Sequence, residues 1–222
     1  MIKKNLKKIN SAGFTLVELL VTLSIFAVTT GIVMTSQGKF DNSILLTNTA
    51  YDIALTLRQA QTFGVNVKEG SGNASSKFNP YGVVFNNSVK TRFDLFEDLP
   101  GGSGGSNYRY KYDGNFICVT NVDLECVSGF KIKRGHYVKS ISIYDNAGAS
   151  SSVDVLNISF IRPNPEAIIV ADVGANIGSY NPALPSAFFN LPKSAEIVIS
   201  SADNSATRTI IVTKVGQIYV KR

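Results

Sequence analysis

The chain has 222 residues, of which 44% are hydrophobic, and its formal net charge is +6 at pH 7. This length fits one domain with appendages, and the hydrophobic content excludes a chain that is disordered throughout. Four basic residues, Lys3, Lys4, Lys7 and Lys8, lie in the first thirteen positions, which contain no acid. The remaining 18 basic and 16 acidic residues leave a net charge of only +2, so total charge alone does not predict nucleic-acid binding.

An apolar run follows this basic stretch. Residues 14–34 read FTLVELLVTLSIFAVTTGIVM and contain a single charge, Glu18. As a helix, the run would be about 31 Å long, which matches a bilayer hydrocarbon core of about 30 Å. The lysines before the run predict a cytoplasmic N-terminus and a translocated body. We therefore predict a membrane-spanning helix over 14–34.

Several interpretations of this run compete. A secretory signal peptide has a shorter apolar region, of about 7–15 residues, with small residues after it, whereas Ser11, Ala12 and Gly13 lie before this run. A plain single-pass anchor explains the length and the lysines. It does not explain Glu18, because a carboxylate at mid-membrane costs about 2.5–3.5 kcal/mol on insertion scales. Glu18 could instead lie close enough to the interface to snorkel toward water.

A third interpretation uses all of these features. Residues 13–21, GFTLVELLV, resemble the processing motif of type IV pilins and pseudopilins. The resemblance implies that a prepilin peptidase cuts between Gly13 and Phe14 on the cytoplasmic side, and that Phe14 is then N-methylated. It also implies an assembly role for Glu18, one helical turn after the cut. The Glu18 carboxylate can neutralise the Phe14 amine of a neighbouring subunit, which removes two unpaired charges from an apolar bundle.

The helix is predicted to continue beyond the membrane. No proline occurs between Gly31 and Gly64. Apolar or small residues recur there at spacings of three and four, namely at Leu46, Ala50, Ile53, Leu57 and Ala60. We expect this stripe to pack against the sheet of the body, and Gly64 to end the helix.

Short β-like runs separated by Gly, Asn and Ser follow Gly64. The predicted strands are Tyr81–Phe85, Arg92–Phe96, Tyr108–Tyr112, Phe116–Thr120, Gly129–Lys133, Val138–Tyr144, Val153–Ile161, Ala167–Ala171, Ala195–Ser200, Arg208–Thr213 and Ile218–Val220. Gly101–Ser106 is predicted as a flexible connection, Ser150–Ser152 as a polar loop and Gly174–Pro192 as a long surface loop.

The predicted fold class is therefore α+β, with a long N-terminal helix packed on a mostly antiparallel β-sheet body. The first half of the helix would cross the membrane. The predicted segments are a cleaved basic leader over 1–13, the transmembrane helix over 14–34, its amphipathic continuation over 35–64 and an extracytoplasmic, pilin-like β-rich domain over 65–222.

The body also resembles the GspH/FimT-like minor pseudopilins and minor pilins. The resemblance lies in short pieces in a fixed order, which are LRQAQ at 57–61, YGVVF at 81–85, DLFED at 94–98, ISFIRPNP at 158–165 and RTIIVTKVGQIYV at 208–220. It implies a structural subunit of a type IV pilus or a type II secretion pseudopilus, located first in the inner membrane and then in the filament. The implied partners are other pilin or pseudopilin subunits, prepilin peptidase, the inner-membrane assembly platform and membrane lipid.

The two cysteines, Cys118 and Cys126, lie close together in a β-like segment. No CxxC occurs, and the single histidine, His136, cannot complete a zinc site with them. Outside the cytoplasm, a disulfide that closes a short loop is the favoured interpretation, with two free thiols as the alternative.

No catalytic constellation and no cofactor or metal site is recognised in the sequence, which predicts that the chain is not an enzyme. A catalytic triad would need His136, which we expect at an exposed turn between strands. Asp94, Glu97 and Asp98 match no EF-hand spacing and are predicted as a solvated strand end. An anchored surface enzyme has no feature in its favour.

A second function class is binding of DNA during uptake. Some FimT-like proteins are thought to act as pilus-associated DNA receptors. The basic residues Arg208, Lys214, Lys221 and Arg222 motivate this alternative here. Salt-dependent binding of DNA by the body would support it.

Overall fold

The structure is a computed structural model that describes residues 13–66, 79–99, 118, 125–172 and 192–221. The chain divides into an N-terminal unit that ends at Asp41 and a larger unit, here called the body, that begins at Asn42. A helix, α1, spans Leu16–Val65. The strands that follow are β1 Tyr81–Asn86, β2 Arg92–Glu97, β3 Cys126–Lys131, β4 Tyr137–Tyr144, β5 Ser150–Ser152, β6 Val155–Ile161, β7 Asn164–Asp172, β8 Ser194–Ser200, β9 Thr207–Thr213 and β10 Ile218–Lys221.

The strands form two five-stranded sheets within the body. The first sheet has the order β3-β2-β1-β6-β7 and the second has the order β10-β9-β8-β4-β5. Neighbouring strands pair antiparallel throughout both sheets. This arrangement confirms the predicted α+β class, in which an N-terminal helix precedes antiparallel β-structure.

The predicted strands that fall within the described residues overlap the observed ones. The prediction of a loop at Ser150–Ser152 is wrong, because these residues form β5 and pair with Ser142–Tyr144 of β4. Since β5 is an edge strand with all three residues exposed, it shows no apolar alternation that could reveal it. Four predictions fall wholly or mainly outside the described residues, namely Gly101–Ser106, Tyr108–Tyr112, Phe116–Thr120 except Cys118, and Gly174–Pro192 except Pro192.

The second half of α1 supplies part of the body's hydrophobic core. All five residues of the predicted stripe, from Leu46 to Ala60, have 0% of their surface exposed. They belong to one buried cluster that also contains Phe85 and Ile158 of the first sheet and Ile197 of the second. The predicted packing of the helix against the β-structure is therefore confirmed.

Gly64 has a different role from the predicted helix stop. It lies within α1, which continues to Val65. A Cβ built at Gly64 would overlap the main-chain carbonyl of Phe160 in β6. The glycine thus permits close approach of the helix to the first sheet, and its φ does not lie in the left-handed region that a glycine C-cap would use.

Candidate processing, anchoring and assembly site

α1 begins directly after a threonine cap. The main-chain N–H of Glu18 donates to Thr15 Oγ1 at 3.2 Å, and the N–H of Leu19 donates to the Thr15 carbonyl at 3.1 Å. Thr15 is therefore the N-cap, and Glu18 is the third residue of the helix. A threonine followed three residues later by a glutamate has the spacing of a capping box, a signal that the sequence analysis missed.

The segment after this cap is long and apolar enough to cross a membrane. The candidate span is Leu16–Met34, and none of its side chains is buried. The hydroxyls of Thr22, Ser24 and Thr29 donate to carbonyls of the preceding helical turn at 2.8–2.9 Å. Because these polar groups are satisfied within the helix, they can enter lipid without leaving unpaired donors.

Glu18 lies at one end of this span. It is the only charged residue in Leu16–Met34, and its position in the first turn places it away from the centre of the apolar segment. An acidic group in the first turn also interacts favourably with the helix dipole. Both the snorkelling and the pairing interpretations place the carboxylate at this end, so they differ only in what loss of the charge does to assembly.

Gly13 has no steric requirement within the described residues. A Cβ built at this position would meet no atom within 4 Å. Phe14, which follows, is 71% exposed. A need for glycine at this point, which the processing prediction assumes, would therefore come from the peptidase and not from folding of this chain.

The two cysteines are joined in the structure as a disulfide, with their Cα atoms 5.3 Å apart. Cys118 is buried, and its carbonyl accepts a hydrogen bond from the Arg92 guanidinium at 2.5 Å. The bond ties Cys118 to β3, the edge strand of the first sheet. Through β3, the disulfide holds Cys118 on the side of the first sheet where β2 lies, although Cys118 is distant from β2 in sequence.

The acidic residues of β2, and Asp98 directly after it, are not solvated, so the prediction of a solvated strand end is wrong. Asp94, Glu97 and Asp98 each have at most 3% of their surface exposed. Arg92 Nε donates to Asp94 Oδ1 at 2.7 Å, and Asn79 Nδ2 donates to Glu97 Oε1 at 2.6 Å. Within the described part of the chain, no group of three or more His, Cys, Asp or Glu side chains could hold a metal ion.

The expectation of an exposed His136 is also wrong. Only 1% of its surface is exposed, and its Nδ1 lies 3.2 Å from Thr49 Oγ1 on α1. Because the Thr49 hydroxyl donates its hydrogen to the Leu45 carbonyl, Thr49 accepts and the Nδ1–H of His136 donates. Burial, and next the positive charge of Arg134, lower the pKa of His136, while Asp203 acts in the opposite direction.

We expect a pH dependence of stability from His136. Its pKa is lowered in the folded state from an ordinary value of 6.5. The unfolded chain therefore takes up a proton first as the pH falls below about 6.5, and the free energy of unfolding decreases until the folded-state pKa is passed. The slope is at most about 1.4 kcal/mol per pH unit.

Denaturant unfolding of the full chain in detergent, repeated between about pH 7 and pH 5, tests this pH dependence. His136 is the only histidine, so a His136→Gln variant should lose the slope while its amide can still donate to Thr49. An equal slope in the variant would assign the dependence to other groups.

Arg208, one of the residues proposed for DNA binding, has its guanidinium engaged inside the body. It donates to Thr47 Oγ1 at 3.0 Å, to Ser43 Oγ at 2.9 Å and to the Thr207 carbonyl at 2.7 Å. These contacts fasten the beginning of β9 to α1. Arg208 is therefore explained by packing of the body.

Of the remaining residues of the DNA-binding alternative, Lys221 lies at the same end of the β9–β10 hairpin as Arg208, and Lys214 lies at the other end. Lys221 lies opposite Thr209, near the beginning of β9. Lys214 lies in the turn at the other end of the β9–β10 hairpin. Arg222 lies outside the described residues.

Comparison with known proteins adds one finding at the N-terminus. Residues 8–34 match the family model described as the prokaryotic N-terminal methylation motif. No curated protein and no solved structure gives a significant match. The matched segment contains Gly13, Phe14 and Glu18 and ends at the last residue of the candidate span. It supports a pilin-like or pseudopilin-like precursor that is anchored in a membrane, processed by prepilin peptidase and assembled with other pilin subunits.

Proposed function

We propose that this chain is a minor pilin or pseudopilin of a type IV pilus or a type II secretion pseudopilus. In this proposal, prepilin peptidase cuts between Gly13 and Phe14, and Phe14 is then methylated on its new amine. One observation carries the proposal. The methylation motif over 8–34 coincides with a helix that is apolar as far as Met34 and then continues into the core of a β-rich body.

The arrangement supports a fixed order of steps. The leader lysines favour retention of the N-terminus in the cytoplasm, so the bond between Gly13 and Phe14 lies on that side. The body is translocated, and a disulfide such as Cys118–Cys126 persists in an oxidising compartment. The motif favours a structural subunit over an enzyme.

Hydrolysis after Gly13 supplies a partner for Glu18. It creates a carboxylate on Gly13, which leaves with the leader, and an amine on Phe14, which stays at the membrane boundary. Phe14 directly precedes the cap residue Thr15, so the new amine lies just before the first turn. In a filament, the amine of one subunit and the Glu18 carboxylate of its neighbour would neutralise each other within the apolar bundle.

Contacts within the body support the narrower assignment to the GspH/FimT-like minor subunits. Three of the resembling pieces meet at one point, where Gln61 Nε2 donates to the Pro165 carbonyl at 2.9 Å and to the Gly216 carbonyl at 3.0 Å. Nearby, the Arg58 guanidinium donates to the Ile218 carbonyl at 3.3 Å. The end of α1, the beginning of β7 and the β9–β10 turn are thus held together by the residues that carry the resemblance.

Mapping the mature N-terminus tests the proposal. In cells with active prepilin peptidase, peptide mass mapping should find a chain that begins at Phe14 with one added methyl group. Since a side chain at Gly13 would meet no neighbouring atom, a Gly13→Val variant should fold like the parent but stay uncut. A parent chain that still begins at Met1 in peptidase-active cells would contradict the proposal.

A further inference from the structure

One end of the body carries a concentration of exposed cations, of which only Lys221 belongs to the DNA-binding alternative. We call this surface the basic pole. Its six members are all exposed, and they are Lys90, Lys131, Lys133, Arg134, Lys139 and Lys221.

Strand pairing brings these residues together from distant parts of the sequence. The Val138 N–H donates to the Lys90 carbonyl at 2.7 Å, and the Ile132 N–H donates to the Thr91 carbonyl at 2.8 Å, so the β3–β4 loop lies on the β1–β2 turn. The β8–β9 turn lies at the same end, because the Tyr137 hydroxyl donates to Asn204 Oδ1 at 2.6 Å. The pairing of β10 with the beginning of β9 brings Lys221 there as well.

Few acids offset this charge. The turns and loops that carry the basic pole contribute two carboxylates, those of Asp154 and Asp203. Asp203 accepts hydrogen bonds from the hydroxyls of Ser201 at 2.6 Å and Ser205 at 2.7 Å. These bonds hold the pKa of Asp203 well below its usual range, and through them its carboxylate stabilises the β8–β9 turn. The surface is therefore strongly positive although the body as a whole is nearly neutral.

The basic pole is also the end at which α1 enters the body. Asn42 Nδ2 lies 3.4 Å from Asp203 Oδ2, and Ser43 accepts a hydrogen bond from Arg208. Asn42 follows Met34, the last residue of the candidate span, by eight positions. Eight residues reach at most about 29 Å even when fully extended. Chain length alone therefore keeps Asn42 within about 29 Å of the end of the span.

We infer that the basic pole binds anionic phospholipid headgroups of the membrane in which the chain is anchored. A lysine or arginine near an anionic bilayer strengthens binding about fivefold. Nucleic-acid phosphates share this chemistry. Lipid is favoured because the tether supplies it at a high local concentration. The inference rests on the anchoring step of the proposed function, and its consequence is a body held against the bilayer before assembly.

Lysine labelling of the full chain in nanodiscs tests the inference. The chain is reconstituted in discs of phosphatidylcholine alone or with phosphatidylglycerol, treated with an amine-reactive reagent and analysed by mass spectrometry. Phosphatidylglycerol should slow labelling of the pole lysines about fivefold. High salt should abolish the effect, because the screening length falls to about 3 Å at 1 M. Lys193 and Lys214 are the internal controls. They are exposed at the ends of β8 and β9 that lie away from the basic pole, and they should react equally in both discs.

Matched variants sharpen the test. Lys131→Gln with Lys133→Gln should restore much of the labelling of Lys90 in phosphatidylglycerol discs. Lys193→Gln with Lys214→Gln should leave the protection of Lys90 unchanged.

Three outcomes would overturn the inference. Equal labelling of the pole lysines in both discs, with the chain co-eluting with the discs, removes lipid binding and leaves the anchor intact. Protection by added duplex DNA but not by phosphatidylglycerol assigns the surface to nucleic acid. A chain that does not co-elute with discs contradicts the anchoring step, and with it both proposals.

Discussion

A Glu18→Gln variant is expected to insert and to be cut like the parent chain, but to enter filaments at least about a hundredfold less well. The proposed pairing explains the size of this effect. Removal of one member of a buried ion pair leaves the other charge uncompensated, at a cost of about 3–5 kcal/mol. Here the remaining charge is the Phe14 amine of the neighbouring subunit, which would lie unpaired in an apolar bundle.

The cap at the start of α1 makes this substitution selective. Glutamine serves as well as glutamate at the third position of a capping box, so Glu18→Gln keeps the cap and removes only the charge. Thr15→Ala does the reverse, because it removes the hydroxyl that accepts the Glu18 N–H. Loss of such a cap costs about 1 kcal/mol, so Thr15→Ala should reduce incorporation only about fivefold.

The two variants are best compared in cells that co-express the parent chain. Membrane fractionation reports insertion, peptide mapping reports the cut, and the ratio of variant to parent in sheared or cross-linked filaments reports assembly. Normal incorporation of Glu18→Gln would remove the charge-pairing argument and leave snorkelling as the role of Glu18. Equal losses in both variants would assign the effect to the helix cap.

A Gly64→Ala variant is expected to lose about 1–3 kcal/mol from the free energy of unfolding of the body. The added methyl group would overlap the main-chain carbonyl of Phe160, and a main-chain atom within a paired strand cannot move aside cheaply. The helix would have to shift away from β6, which would disturb the packing of the buried stripe that ends at Ala60.

Thr62→Ala is the matched control for Gly64→Ala, because Thr62 lies in the same turn of α1 and is exposed. Alanine there keeps the helix and adds no contact, so the free energy of unfolding should change by less than about 0.5 kcal/mol. Denaturant unfolding of the full chain in detergent compares the two variants with the parent. A Gly64→Ala chain as stable as the parent would mean that the helix has room to move at this point.

The features that sequence predicted best are periodic. The stripe from Leu46 to Ala60 follows a helical repeat, and each of its five members is fully buried. The membrane segment, too, is recognised from length and composition alone, without any knowledge of the rest of the chain. Both features depend on residues that are neighbours in sequence, which is why a pattern could reveal them.

The features that sequence missed depend on partners far along the chain. His136 is buried because it meets Thr49, 87 positions earlier. Asp94 is buried because the Cys118 main chain, 24 positions later, covers it together with the Arg92 side chain.

The distribution of charge over the body is a further feature that the sequence did not reveal. The sum over the sequence beyond the leader is only +2, which gave no reason to expect an electrostatic surface. The sum hides an uneven distribution, because strand pairing gathers Lys90, Lys133 and Lys221 at one end of the body. Net charge could not predict this surface, since only the sheet order brings its members together.

The shared use of α1 by anchor and core has a consequence for the timing of synthesis. The buried stripe of α1 is made early, whereas strands that cover it are made late. The hydrogen bond between Arg58 and the carbonyl of Ile218 joins residues 160 positions apart. At about 5–20 residues per second, roughly 8–32 s separate their synthesis. For that interval the ribosome and the translocation machinery hold a tethered, incomplete domain. The apolar face of α1 stays incompletely covered until the last strands have been made.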